Sequence, residues 1–367
     1  MQRTRPLSRK SRPPLRPKPG RRVHMADIAK LAGVSTATVS RALNRSMLVN
    51  SETRERVEEI ARSLNYTMTA PARRRGARPL KTIAVLVPTE AHSRRDVSDP
   101  FFLTMLGSIA DALTERGFDM LLSRVDAEHL DHAVDLYDGK HAAGLICVGQ
   151  WRREEPLAVL TARSIPLVVW GAHLRRQSYC VVGCDNVAGG ELATGHLLDG
   201  GAAAVVFLGD TSVPEVANRF EGYRNAHAQR GLKVRPDLVV PVPFVADSAH
   251  RAVVDLMARR VQFDAVFACS DLLALSAVQA LREAKRAVPE DVAVVGYDDI
   301  DLAAHCHPAL STIRQPIATG GRALVESLLA ILEGQKVRST VLRTELVVRD
   351  SSRRLPGLQP ATGTDGR

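Results

Sequence analysis

From residue 82 onward, apolar positions alternate between short continuous runs and helical spacing. TIAVLVP, FDMLLSRV, GLICVG, PLVVWG, AVVFLG, LVVPVP, AVFACS and VAVVGYDD read as strands, with helical stretches such as FFLTMLGSIADALTERG between them. Continuous apolar runs of this length, bounded by Gly and Pro, suit strands buried on both faces, as parallel strands are. Strand-helix alternation then predicts an α/β body of parallel sheets with helices on both faces.

Before that body the pattern is helical only. MADIAKLA (25–32) forms a first helix, Gly33-Val34 breaks it, and Ser35 caps a second helix running to about Leu43. Asn50 caps a third, in which Val57, Ile60, Ala61 and Leu64 fall on one stripe. Ile28, Leu31, Val34 and Val39 are the expected core of this all-α head. Two short helices joined by a Gly-containing turn form a helix-turn-helix, whose second helix reads the major groove with its N-terminal residues. The exposed candidates there are Thr36, Ala37 and Arg41. Arg41 can donate two hydrogen bonds to one guanine, whereas Thr36 and Ala37 offer only a hydroxyl or a methyl.

Charge strengthens that reading. The 367 residues carry a net +10, but residues 1 to 81 hold 20 basic and 5 acidic residues while the remainder is slightly acidic. Positive charge at one end suggests a polyanion-binding head on an ordinary body. With 45% apolar and 25% charged residues a sizeable core is available, and no apolar run is long enough to span a bilayer. Residues 1–22 are basic and Pro-rich without the apolar core of a secretory signal, so a cytoplasmic location is expected. They form either a disordered arm that adds nonspecific attraction to phosphates or an inert extension. Cys147, Cys180, Cys184, Cys269 and Cys306 form no CxxC pair and read as reduced, buried residues.

Catalytic chemistry finds no foothold. The chain lacks GxxxxGK, GxGxxG after a strand, GxSxG and HExxH, so no catalytic residue and no cofactor is assigned. His305 and His307 form an HxH without further ligands, and no metal site is assigned. Asp185-Asn186 and Asp271 read as helix caps.

The run VHMADIAKLAGVSTATVSRALNRSMLVNSETRERVEEIARSLNY closely resembles the headpiece of the lactose-repressor/galactose-repressor family of bacterial transcription regulators. Position by position, the resemblance implies base contacts from Thr36, Ala37 and Arg41. It implies phosphate contacts from Ser35, Thr38, Ser40, Asn44, Asn50 and Thr53. The family follows this head with a hinge helix that wedges a leucine into the minor groove. Here the segment reads TMTAPARRRGAR, with Arg75 at the wedge position and Met68 where proline is common. Arg73, Arg74 and Arg75 either enter a narrow minor groove with less kinking or form a flexible basic linker.

The body resembles the same family's effector domain, which has the fold of periplasmic sugar-binding proteins. DPFF, CDNVAGGELATGHLL, NRFEGYRNA, CSDLLALSAVQAL, VVGYDDIDLA and STIRQP carry the likeness. It implies two lobes, linked by three crossovers, closing over a ligand at the carboxyl ends of the strands. Arg219 and Asp298 would bond ligand hydroxyls, and Phe101 and Phe102 would face a ring, with Trp170 a further candidate. Phe102 and Trp170 are equally readable as core. Ser270 stands where many sugar-responsive members carry asparagine.

The expected division is an arm (1–22), a headpiece (23–68), a hinge (69–80), an effector and dimerisation domain (81–350) and a flexible tail (351–367). Lobe 1 is expected at about 81–178 and 316–337, and lobe 2 at about 179–315 and 338–350. The expected function is a repressor of a partly palindromic operator, acting as a homodimer under a small effector, a carbohydrate before a purine or other metabolite. One recognition helix reads only a few base pairs, so paired half-sites supply the specificity. The C-terminal end has no leucine heptad, which favours a dimer over a tetramer. A solute-binding protein and a sugar-acting enzyme are the competing classes.

Overall fold

The computed structural model describes residues 25–43, 49–64, 80–89, 97–174 and 177–353. They fall into two compact units divided between residues 79 and 80.

The first unit contains α1 (Met25–Ala32), α2 (Thr36–Leu43) and α3 (Ser51–Ser63). The expected helices and caps are present. The Thr38 amide donates to Ser35 Oγ at 3.0 Å, and the Thr53 amide donates to Asn50 Oδ1 at 2.9 Å. Ile28, Ala29, Ala32, Val39, Ala42, Val49, Val57 and Ala61 form the core, with Val34, Ile60 and Leu64 packed against it. Leu31 departs from expectation and is 41% exposed, because Ile28, Ala29 and Ala32 already define the inward face of α1.

The second unit begins with a first lobe. It contains β1 (Thr82–Thr89), α4 (Pro100–Glu115), β2 (Asp119–Asp126), α5 (Asp131–Asp138), β3 (Leu145–Val148), α6 (Glu155–Ala162), β4 (Leu167–Trp170) and β5 (Cys180–Cys184). The chain then crosses to a second lobe. This holds α7 (Asn186–Asp199), β6 (Val205–Leu208), α8 (Pro214–Gln229), β7 (Val239–Val240), α9 (Ala246–Ala258), β8 (Ala265–Ala268), α10 (Asp271–Glu283), β9 (Ala293–Asp298), α11 (Asp301–His305) and β10 (Ser311–Arg314). Finally α12 (Ile317–Leu332) packs on α4 in the first lobe, and β11 (Thr340–Leu342) and β12 (Glu345–Val347) join one sheet each.

The two sheets run β11-β5-β4-β3-β1-β2 and β12-β10-β9-β8-β6-β7. All pairings are parallel except β10 with β12. The inner strands of each sheet are buried on both faces, which accounts for their continuous apolar runs, whereas the edge strand β2 is largely exposed.

Two expected boundaries move. β5 pairs with β4 in the first sheet, so the crossing falls at Asp185 and not near 179. β11 pairs with β5, so the last crossing falls at Arg343-Thr344 and not at 338. In both cases a short apolar strand completes the sheet before the chain leaves. Among the described residues no helix is long and apolar enough to cross a membrane.

Candidate functional site

On α2, Thr36, Ala37 and Arg41 are exposed, whereas Val39 and Ala42 are buried. At about 100° per residue the exposed trio spans an arc of roughly 140° opposite the buried pair, so one helix face is free for base edges. Ser35 and Thr38 hydroxyls lie 2.8 Å apart at the start of this helix, where free N–H groups and the helix dipole favour an anion. Asn50 spends its carbonyl oxygen on the cap of α3, which leaves its amide N–H groups as donors. Thr53 is half-buried, one turn into α3, and Ser40 is half-buried on α2. Asn44 and the hinge arginines Arg73, Arg74 and Arg75 lie outside the described residues.

In the second unit, a seat for a cation forms where α7 and α8 touch. A Cβ on Gly190 would strike the Arg219 carbonyl, and one on Gly222 would strike the Val187 carbonyl, so both positions require glycine for this approach. Arg219, only 5% exposed, donates from Nε to Asn186 Oδ1 at 2.8 Å and from Nη1 to the Cys269 carbonyl. Its guanidinium stacks 3.7 Å from the centre of the Tyr297 ring. Burial opposes the charge, but Tyr297, Asp298 and Glu215 more than offset it and raise the pKa.

Asp298 ends β9 with φ of +119°, and Asp299 follows at +59°. Two consecutive non-glycine residues at positive φ are strained, and the surrounding bonds hold them there. Asp271 accepts from the Ile300 amide and the Thr312 hydroxyl, while Asp299 accepts from Arg314 and Arg349. The Asp298 carboxyl is 6% exposed and accepts from Gln315 Nε2 at 2.6 Å. Burial pushes its pKa well up, Arg219 opposes, and the Asp271 and Asp99 carboxylates add to the rise.

The influence of Asp99 matters because Asp99 caps α4 in the first lobe, accepting from the Phe101 amide at 2.9 Å. Phe101 is half-buried there, 6.3 Å from the Trp170 ring centre. Phe102 and Trp170 do not share its exposure. Phe102, on the inner side of α4, is 5% exposed, and Trp170, against Gly320 of α12, is 4% exposed, so both pack in the first-lobe core and are as buried as Arg219 and Asp298.

Ser270 caps α10, its Oγ accepting from the Leu273 amide at 3.2 Å, which leaves its O–H as a donor. Asp271, expected to be a cap, is the first residue of α10, fully buried and braced against the Asp298 turn. Asp185 caps α7 as expected, but Asn186 beside it is the side chain that grips Arg219.

An ion pair also joins a loop of the first lobe to one of the second. Arg152 Nη2 pairs with Asp210 Oδ2 at 2.6 Å, and Glu215 on α8 comes close enough to first-lobe Tyr179 to help raise its pKa, mainly raised by burial, to about 12. Glu215 Oε2 and Trp151 Nε1 are buried without partners among the described residues.

All five cysteines are free, but Cys180 and Cys306 are half-buried, since Cys180 opens an inner strand and Cys306 lies in a surface turn. Burial raises the thiols of Cys184 and Cys269 to about 12, which leaves them protonated and inert. His305 and His307 are exposed. A separate groove of about 800 Å³ runs outside the cleft, between α7 and the β11–β12 crossover, and includes neither Arg219 nor Asp298 in its walls.

A DNA-reading helical unit in one chain with a two-lobed ligand cleft defines a DNA-binding transcription regulator with an effector domain. Residues 24–68 match the family model for bacterial regulatory proteins of the lacI family, and residues 194–352 match that for the periplasmic binding protein-like domain. The chain is 34% identical over 339 residues to the HTH-type transcriptional regulator CelR of Thermobifida fusca, covering 90% of this chain and 98% of that one. It is 32% identical over 336 residues to the ribose operon repressor of Haemophilus influenzae, covering 89% and 98%. The solved CelR-cellobiose complex superposes with a TM-score of 0.69 at 32% identity, over 90% of this chain and all of that one. The protein belongs to the lacI family of bacterial regulatory proteins.

Proposed function

We propose that the protein is a transcriptional repressor that binds a partly palindromic operator as a homodimer and changes its operator affinity when a carbohydrate enters the cleft. One observation carries the reading: α2 presents Thr36, Ala37 and Arg41 on an open face in the same chain that seats Arg219 of α8 against the Cys269 carbonyl, near Asp298 at the end of β9. A fixed guanidinium and a carboxyl offer paired donors and acceptors to neighbouring sugar hydroxyls, and half-buried Phe101 offers a ring face. Relatives that are named for ribose, or solved with cellobiose, support this class of effector.

Dimerisation is supported by the edge of the first sheet. β2 ends that sheet and exposes Leu121 and Leu122, while α4 exposes Leu103. An uncovered apolar edge strand is a ready surface for a second copy. Arg73, Arg74 and Arg75 are assigned to the minor groove on their sequence alone. A bend assay in which Arg75→Ala leaves the operator bend unchanged would refute that assignment.

The deciding experiment is fluorescence anisotropy with promoter DNA across a salt series. Sequence-preferring, salt-dependent binding is expected, and its absence would overturn the reading. A thermal-shift screen of sugars and nucleobases then identifies the effector class. A ligand at about 100 times its Kd stabilises the protein by roughly 2.7 kcal/mol.

A further inference from the structure

Two of the chains that cross between the lobes each bring an arginine to one carboxylate. β10 of the second lobe ends at Arg314, and Gln315 and Pro316 lead from it to α12 in the first lobe. β11 in the first sheet returns through Arg343-Thr344 to β12 in the second, with Arg349 two residues beyond it. Arg314 Nε donates to Asp299 Oδ2 at 2.7 Å and Arg349 Nη2 donates to Asp299 Oδ1 at 2.6 Å, so each oxygen serves a different crossing.

Arg349 is the firmer of the two, its side chain 18% exposed against 48% for Arg314. Its Nη1 donates to the Leu310 carbonyl at 2.7 Å. Its amide donates to Ser311 Oγ at 2.8 Å, and the Ser311 hydroxyl donates back to its carbonyl at 3.0 Å. The Ser311 amide donates to Ser351 Oγ at 2.8 Å, and the Ser351 hydroxyl donates to the Val294 carbonyl at 2.7 Å. The segment after β12 is thus fastened to both β9 and β10. Asp299 follows Asp298, and both have positive φ. Such a pair relaxes unless it is held, and a shift at Asp299 turns the adjoining peptide and with it the Asp298 side chain. Gln315, on the same crossing as Arg314, adds a hold on Asp298 itself through its amide, 3.3 Å from the Asp298 carbonyl, and its Nε2.

We infer that Asp299 is a positioning residue: gripped by Arg314 and Arg349, it fixes the Asp298 carboxyl and ties its orientation to both crossings, so movement of one lobe against the other is passed to Asp298. The inference rests on Asp298 meeting the effector. An ion pair that only stabilised the fold would couple neither crossing to the Asp298 turn.

Asp299→Asn isolates the effect, since asparagine tolerates positive φ and keeps the side-chain shape while losing the charge. Hydrogen exchange of the full chain without ligand, read by mass spectrometry, follows three places. These are the Ile300 amide, bonded to Asp271 Oδ2 at 2.9 Å, the second crossing at 315–317 and the third at 343–347. Asp299→Asn is expected to speed exchange at all three by about ten-fold, as loss of a charged hydrogen bond implies. Arg349→Lys, made on the third crossing, should do the same at Ile300 and at 315–317. Arg314→Gln removes a half-exposed group and should act by a few-fold at Ile300 and at 343–347. It keeps the test decisive if the other variants lose their far-UV circular dichroism. Unchanged exchange, or faster exchange confined to the crossing that carries the substitution, overturns the junction. Calorimetric titration with cellobiose and ribose gives the second readout. Asp299→Asn should weaken the sugar that binds by about ten-fold, yet change its affinity little in an Asp298→Asn background, because Asp299 acts through Asp298. Equal losses in both backgrounds overturn the positioning role. If neither sugar binds the wild-type protein, the carbohydrate reading fails and the exchange result alone decides the junction.

Discussion

Replacing Arg219 by lysine keeps the charge and removes the fork. In the wild-type seat Nε reaches Asn186 Oδ1 at 2.8 Å, Nη1 reaches the Cys269 carbonyl, and the guanidinium lies 3.7 Å from the Tyr297 ring centre. A single ammonium cannot occupy both nitrogen positions, so one buried acceptor is left unmade at a cost of about 1–3 kcal/mol. Loss of the planar stack adds about 0.5–2 kcal/mol. Arg219→Lys is therefore expected to destabilise the effector domain by about 2–4 kcal/mol. Asn186→Ala removes the other half of the same bond. The double variant should then be less damaged than the sum of the singles, by about 1–2 kcal/mol. Urea denaturation followed by far-UV circular dichroism, on wild type, both singles and the double, gives the four free energies. Additive losses would refute the claim that Asn186 positions Arg219, and so would an unimpaired carbohydrate response in Arg219→Lys.

Arg41→Ala should weaken cognate operator binding by about 1–3 kcal/mol while hardly changing binding to unrelated DNA, measured by anisotropy with both duplexes. Asn50→Ala should lower head stability by about 1 kcal/mol, read in thermal melts, because the Thr53 amide loses its cap. Burial raises the pKa of Asp271 from 3.8 to about 7, so the folded protein keeps a proton that the unfolded chain has released. On this group's account stability falls as pH rises from about 4 to about 7, and Asp271→Asn should flatten that part of a Tm-against-pH profile. Leu122→Lys should shift the protein toward monomer in sedimentation velocity, and an unchanged dimer would move the interface away from β2.

How much of this was readable from sequence depends on how far each side chain reaches along the chain. The head was almost entirely legible, because its caps act over three residues, Ser35 on Thr38 and Asn50 on Thr53, and its core repeats with the helical turn. Leu31 reads as core in sequence but is exposed, since α1 carries one apolar residue more than its inward face needs. In the body, inner strands announced themselves, but Cys180–Cys184 did not: CVVGC holds a glycine and two cysteines and shows its strand character only when paired with β4. Arg219 and Asp298 could be named from motifs, whereas their supports could not. Asn186 holds Arg219 across 33 residues, the Cys269 carbonyl across 50, and Asp210 meets Arg152 across 58. In sequence, Arg152 sits in the run RREE, which reads as a solvated charge cluster, and nothing nearby marks Asp210 as its partner. The face proposed to read DNA lies on one helix and fits inside a short window. The cleft proposed for the effector lies between two separate sheets, so the residues proposed to line it come together only after both sheets have formed.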